Sequence, residues 1–149
     1  MRSPLTTLLA HASITLDAVA VSRDDAIRQA GAALVAGGAV DASYLDAMIE
    51  RENLVSTFIG DGVAIPHATL AAKGGVRADA LSFLRFPAGV DWDGNDVRIV
   101  FGLAAVGRGH IALLSQLATV LLDPIRAEGL RSASTIERVY ELLSAAPAE

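Results

Sequence analysis

Histidine is the side chain whose ordinary pKa lies nearest neutrality, and this chain has three: His11, His67 and His110. Cysteine is absent, which removes disulfides, thiolate metal ligands and a cysteine nucleophile together. His67 follows Pro66 at the end of an apolar run, after the turn Gly60-Asp61-Gly62. Strand ends in α/β folds open onto clefts, and glycines let a partner's backbone approach closely. An imidazole placed there can serve as a nucleophile or a general base. The plainer alternative is a histidine that only hydrogen-bonds a loop carbonyl. His110 stands where a buried apolar run gives way to a helical pattern. The first turn of a helix offers unpaired N–H groups and a positive dipole end to an anion. A neutral His110 could add a donor there, or simply face solvent. Arg51 falls on the stripe Tyr44, Met48, Arg51, at the edge of a helix's buried face and four residues before Val55. Its guanidinium could pair bidentately with phosphate oxygens, or merely offset the dipole at a helix C-terminus.

Other motifs lead nowhere. Gly107-x-Gly109-x-x-Ala112 has the form of a dinucleotide fingerprint, but no second strand with a terminal acid follows the helix after it. Asp91-x-Asp93-Gly94-Asn95-Asp96 lacks the spacing and closing Glu of a calcium loop and reads as a polar connection between strands. No histidine pair has the spacing of a zinc helix, and His11 lies in an unremarkable stretch. The formal net charge of −5 argues against nucleic acid, whose backbone needs clustered Lys and Arg.

Hydrophobic residues make up 52% of 149, enough for a core in one domain over 1–149. No apolar window approaches the ~20 residues of a spanning helix. The apolar patch Leu5–Ala10 is short and broken by Thr6 and Thr7, which argues against a secretory signal.

The elements that position these residues follow from pattern. Ser22-Arg23-Asp24-Asp25 has the form of a capping box, opening a helix that Gly37-Gly38 stops. Asp41 is the expected cap of a second helix, with Tyr44, Leu45, Met48 and Ile49 inward, running out near Glu52-Asn53. Two short apolar runs flank Gly60-Asp61-Gly62. Residues 80–86 and 97–106 read as strands, the second buried on both faces. A helix from near His110 should turn Ile111, Leu114, Leu117, Ala118 and Leu121 inward, and Asp123-Pro124 leads into more helical sequence. Ser134-Thr135-Ile136-Glu137 predicts a last cap, with Ile136, Val139, Tyr140 and Leu143 inward and a frayed tail from 145. Helices alternating irregularly with a few strands imply an α/β domain, a mixed β-sheet covered by helices on both faces.

The run Glu50-Arg51-Glu52-Asn53, followed by Ser56-Thr57-Phe58-Ile59-Gly60-Asp61-Gly62-Val63-Ala64-Ile65-Pro66-His67, resembles the enzyme IIA domain of the bacterial phosphoenolpyruvate-dependent sugar phosphotransferase system, mannitol/fructose class. The likeness extends over roughly residues 14–144, and Phe86 to Val90 with His110-Ile111 points to the mannitol branch. It implies that His67 is the phosphorylated histidine, with Arg51 and His110 around the phosphoryl group. It implies a donor, the phosphohistidine of HPr, and an acceptor, a cysteine of enzyme IIB, whose membrane partner IIC carries mannitol-type sugars. It further implies a cytoplasmic phosphocarrier with no metal, nucleotide or other cofactor and no insertion of its own into the membrane, its partners being separate chains. A regulatory member, whose phosphorylation state controls protein–protein interactions, would use the same histidine. One imidazole nitrogen must attack while the other stays protonated on an acceptor that the sequence does not identify. Ala68 stands where the family usually has Gly, and Gly107-Arg108-Gly109 where mannitol members tend to be polar.

Overall fold

The computed structural model describes residues 4–68, 76–106 and 109–144, with the backbone alone at Pro4, Gly109 and His110. In chain order the elements are α1 (Pro4–Leu8), β1 (Leu9–Thr15), α2 (Arg23–Ala36), α3 (Tyr44–Leu54), β2 (Phe58–Gly60), β3 (Val63–Ala64), β4 (Ala80–Trp92), β5 (Asn95–Ala104), α4 (Gly109–Leu121), α5 (Pro124–Arg131) and α6 (Ile136–Ser144). The five strands form one mixed sheet in the order β1-β4-β5-β3-β2. β1 is parallel to β4 and β3 to β5, while β4–β5 and β2–β3 are antiparallel.

The long β4–β5 hairpin is the spine. Its turn is Asp93-Gly94, both with positive φ, the pair that a two-residue hairpin turn prefers. β4 continues to Trp92, beyond the residue 86 that its apolar pattern predicts. Pro87 and Gly89 interrupt that pattern within a register shift between Arg85 and Val90, where a strand tolerates proline.

Each sheet face carries its own core. α2 and α3 cover one, where Ile27, Leu34, Met48, Trp92 and Val100 are fully buried. α1, α4, α5 and α6 cover the other, over Phe83, Phe101 and Leu103. Phe83 and Phe101 are cross-strand partners in an edge-to-face pair with centroids 5.2 Å apart. Burying a large apolar side chain contributes about 1.5–3 kcal/mol, against about 0–1 for an exposed ion pair. The two faces therefore hold the fold, and surface pairs such as Arg28–Asp46 add little.

Helix starts refine the sequence reading. Ser22 caps α2, its Oγ accepting from Asp25 N at 3.1 Å, while the Asp25 carboxylate reaches back to Val21 N. Asp41 does not cap α3 with its side chain. It pairs with Arg77, and the N-cap residue is Ser43, with no side-chain bond. The last cap is shifted by one residue: Thr135 Oγ1, not Ser134, accepts from Arg138 N. α4 is rotated from its expected face. Leu113, Leu117 and Val120 are buried, whereas Ile111 is 61% exposed. β1 has no alternating pattern to announce it, with burial only at Leu9, Ser13 and Ile14.

One close approach fixes how α2 sits. Ser82 Oγ donates to the Ala30 carbonyl at 2.8 Å, directly over Gly102, the cross-strand partner of Ser82. A Cβ on Gly102 would lie 2.3 Å from Ser82 Oγ and 3.0 Å from the Ala30 carbonyl oxygen. Gly102→Ala should therefore lose about 1–3 kcal/mol, the scale for overpacking a dense core, read as a lower urea midpoint with an unchanged slope.

Candidate functional site

The hairpin β2–β3 lies at the sheet edge. Its turn, Gly60-Asp61-Gly62, has positive φ at all three residues, a conformation open to Gly and tolerated by Asp. β3 runs parallel to β5, and the chain keeps to that path past its end. Leu103 N donates to the Pro66 carbonyl at 3.1 Å, and His67 bridges Leu103 in parallel register. His67 thus stands beside the C-terminal end of β5, which leads toward the first turn of α4.

His67 Nδ1 lies 2.8 Å from the Ile65 carbonyl oxygen. A carbonyl only accepts, so Nδ1 carries a proton and donates it in this bond. The sequence left two readings open, a loop-bonded histidine and a chemical one; the loop bond is present at Nδ1.

Tyr44, at the start of α3, reaches the same place from the other face. Its hydroxyl donates to the Leu103 carbonyl at 2.8 Å and accepts from Ala68 N at 3.2 Å. Ala68 has no positive φ and packs against the α2–α3 core, so this position does not require glycine here.

Arg51 is in the last turn of α3. Its Nη1 donates to the Val55 carbonyl at 2.6 Å, the guanidinium's one bond among the described residues. Ile65 N donates to the Thr57 carbonyl at 3.0 Å. Arg51 thus lies at the end of α3, on the segment that enters the hairpin, and His67 on the segment that leaves it. The third expected residue, His110, has its backbone in the first turn of α4, at the same end of the sheet; its side chain lies outside the described residues, as do Gly107 and Arg108. His11 lies on β1, at the opposite edge of the sheet from the β2–β3 hairpin, its ring 5.2 Å from that of Tyr140 on α6. Among the described residues no group of His, Asp and Glu gathers as a metal site, and no helix is long and apolar enough to cross a membrane.

A groove of about 400 Å³ opens beside the hairpin, with Ile59, Ile65, Leu114, Leu121 and Leu122 among its lining. Ile59 and Leu122 in its lining are each more than half exposed, as are Leu54 and Val55 just before the hairpin in sequence.

The sequence reading missed Glu52. This buried carboxylate, 3% exposed, accepts from Thr57 N at 2.8 Å, from Thr57 Oγ1, and from Trp92 Nε1 at 3.0 Å. The signal was available: Tyr44, Met48 and Glu52 are spaced i, i+4, i+8, so an acid sits on a buried stripe, where acids rarely stand unpaired.

A family model described as "Phosphoenolpyruvate-dependent sugar phosphotransferase system, EIIA 2" matches residues 7–146. The chain belongs to this enzyme IIA family. As an enzyme IIA it is a phosphotransferase component with a phosphocarrier role. It is 41% identical over 137 residues to the mannitol-specific phosphotransferase enzyme IIA component of Staphylococcus aureus (strain Mu50 / ATCC 700699), covering 90% of this chain and 95% of that protein. The component of the same name from Geobacillus stearothermophilus is 38% identical over 138 residues, covering 92% and 95%. Among solved structures, the enzyme IIA of mannitol from Escherichia coli, in its complex with phosphorylated enzyme IIB, superposes with a TM-score of 0.85 at 34% identity, over 91% of this chain and 98% of that one. The nitrogen regulatory protein IIA-Ntr from Neisseria meningitidis gives 0.82 at 28% identity, over 95% and 100%.

Tyr44→Phe should leave Ala68 N–H and the Leu103 carbonyl without their shared partner, at a cost of about 1–3 kcal/mol. Burial raises the Tyr44 pKa above the ordinary value, the Ala68 bond opposing it more weakly. A raised folded-state pKa stabilises the fold below the unfolded value of about 10, and that stability is lost as pH rises through the folded value. Chemical denaturation across the alkaline range should therefore show the wild type losing stability more steeply than Tyr44→Phe.

Proposed function

We propose that His67 is the phosphoryl-accepting residue of this enzyme IIA, taking the group from phosphohistidine on HPr and passing it to a cysteine of an enzyme IIB in mannitol-type uptake. The observation that carries the reading is the Nδ1 bond to the Ile65 carbonyl, because it leaves Nε2 with the lone pair an in-line attack needs. In the first transfer the His67 Nε2–P bond forms as the donor's N–P bond breaks, and the donor imidazole leaves with its electron pair. In the second, an S–P bond forms with a cysteine thiolate and the Nε2–P bond breaks, returning His67 to its neutral Nδ1–H form. The proton stays on Nδ1 throughout, donated to the Ile65 carbonyl.

Phosphoryl transfer depends on positioning and charge compensation. Arg51, with donors to spare at the end of α3, is proposed to offset charge on the equatorial oxygens, and His110 to add a donor from the first turn of α4. The apolar side chains around the hairpin suit protein partners better than a sugar. The relatives and the IIA–IIB complex above support the mannitol branch and a IIB partner, in a cytoplasmic setting. The likeness to IIA-Ntr favours one second reading, a regulatory protein that uses the same histidine with different partners.

Incubation with phosphorylated HPr should place one acid-labile, alkali-stable phosphate on the peptide holding His67. His67→Ala should take up none; stoichiometric uptake would remove the assignment. Arg51→Ala and His110→Ala should remain folded and transfer about 10²–10³-fold more slowly, the scale for a lost preorganised donor. Rates should be unchanged in excess EDTA and without ATP, since the donor already carries one activated phosphoryl group; loss of transfer on chelation would instead make His67 a candidate ligand. Transfer to IIB that then phosphorylates mannitol separates uptake from the regulatory reading.

A further inference from the structure

The hairpin that carries His67 is too short to hold its own shape. β2 has three residues and β3 two, at a sheet edge and with a register shift between them. Yet the Ile65 carbonyl must be aimed well enough to keep the His67 proton on Nδ1. Two bonds fix Ile65 from either side: its own N–H to the Thr57 carbonyl, and the Pro66 carbonyl to Leu103 N. The second is anchored in the central strand β5. The first is only as firm as Thr57, which lies outside any strand.

Thr57 is held by Glu52. The carboxylate takes both the backbone N–H and the hydroxyl of Thr57, and its position is set by Trp92 Nε1 from the end of β4. Trp92 is fully buried and Thr57 is 5% exposed, so these bonds are shielded from water and charge-assisted, the stronger kind. Glu52 also follows Arg51 in the last turn of α3, whose end is tied down independently by Arg23 donating to Asn53. A path of hydrogen bonds therefore runs from the Trp92 indole through Glu52, Thr57 and Ile65 to the His67 ring.

We propose that Glu52 is a positioning residue for His67: by clamping Thr57 it fixes the rung that aims the Ile65 carbonyl at Nδ1, and so selects the tautomer protonated at Nδ1. This rests on the reading of His67 as phosphoryl acceptor, and adds to it the group that holds the acceptor in order. A buried acid serving stability alone would not affect the His67 tautomer.

The test is the tautomer of His67, read from long-range ¹H–¹⁵N spectra of the full chain, with the His67 signals assigned by comparison with His67→Gln. The wild type should show the Nδ1–H form. In Glu52→Gln, where an amide cannot accept from all three donors, the signals should move toward a mixture of tautomers. Uptake from phosphorylated HPr should fall by about ten- to a hundred-fold, the scale of a misplaced reacting group. Thr57→Val, which loses only the hydroxyl bond, should move both readouts in the same direction, and Thr57→Ser should restore both; this pair decides the matter if Glu52→Gln does not fold. A folded Glu52→Gln with the wild-type tautomer overturns the proposal, whether or not its transfer is slow. So does a Thr57→Val indistinguishable from Thr57→Ser. If wild-type protein takes up no phosphate, the reading of His67 as acceptor falls, while the tautomer comparison still decides the role of Glu52.

Discussion

The bond from His67 Nδ1 to the Ile65 carbonyl joins residues only two apart, yet contacts from distant elements hold it in place. Thr57 secures Ile65 from one side, and β5 secures Pro66 from the other. Tyr44 ties Leu103 to Ala68 just past the histidine. A free imidazole in water exchanges between two neutral tautomers. Here a fixed acceptor on one nitrogen removes the choice, and the other nitrogen becomes the basic one.

The architecture divides the work between rigid and spare parts. The β4–β5 spine, packed on both faces, buries the large side chains that supply most of the stability. The hairpin carrying His67 contributes few residues to either core, and its turn uses backbone conformations that favour glycine. Such an edge element would be loose alone. It is made definite by polar ties to the spine, above all the buried Glu52, whose desolvation is tolerable because three donors meet it. Leu54, Val55 and Ile59 remain exposed around it, consistent with a partner that covers them during transfer.

Much of this was legible in the sequence, where the pattern was physical. The Ser22 cap and Gly37 stop of α2, the Gly60–Gly62 turn, the apolar run of β5 and the Asp93-Gly94 connection were each announced by residues with one dominant local preference. Failures came where tertiary contacts override local preference. Asp41 prefers Arg77 to capping, and α4 turns Leu113 rather than Ile111 into the core. β1 is a strand because β4 offers it an edge, not because its residues alternate. At the site, His67 and Arg51 stood out by type and spacing. Tyr44 and Glu52 share a stripe that marks them as buried, but the partners that define their roles stand five to fifty-nine positions away. No periodicity encodes those bonds.

The central claim is that His67 accepts at Nε2 while Nδ1 keeps its proton. It is tested most directly by ³¹P and ¹⁵N spectroscopy of the ¹⁵N-histidine-labelled protein after transfer from phosphorylated HPr. The expected result is one phosphorus signal coupled to His67 Nε2, with a protonated Nδ1 slow to exchange. Phosphorus bonded to Nδ1, or to any residue other than His67, would contradict it.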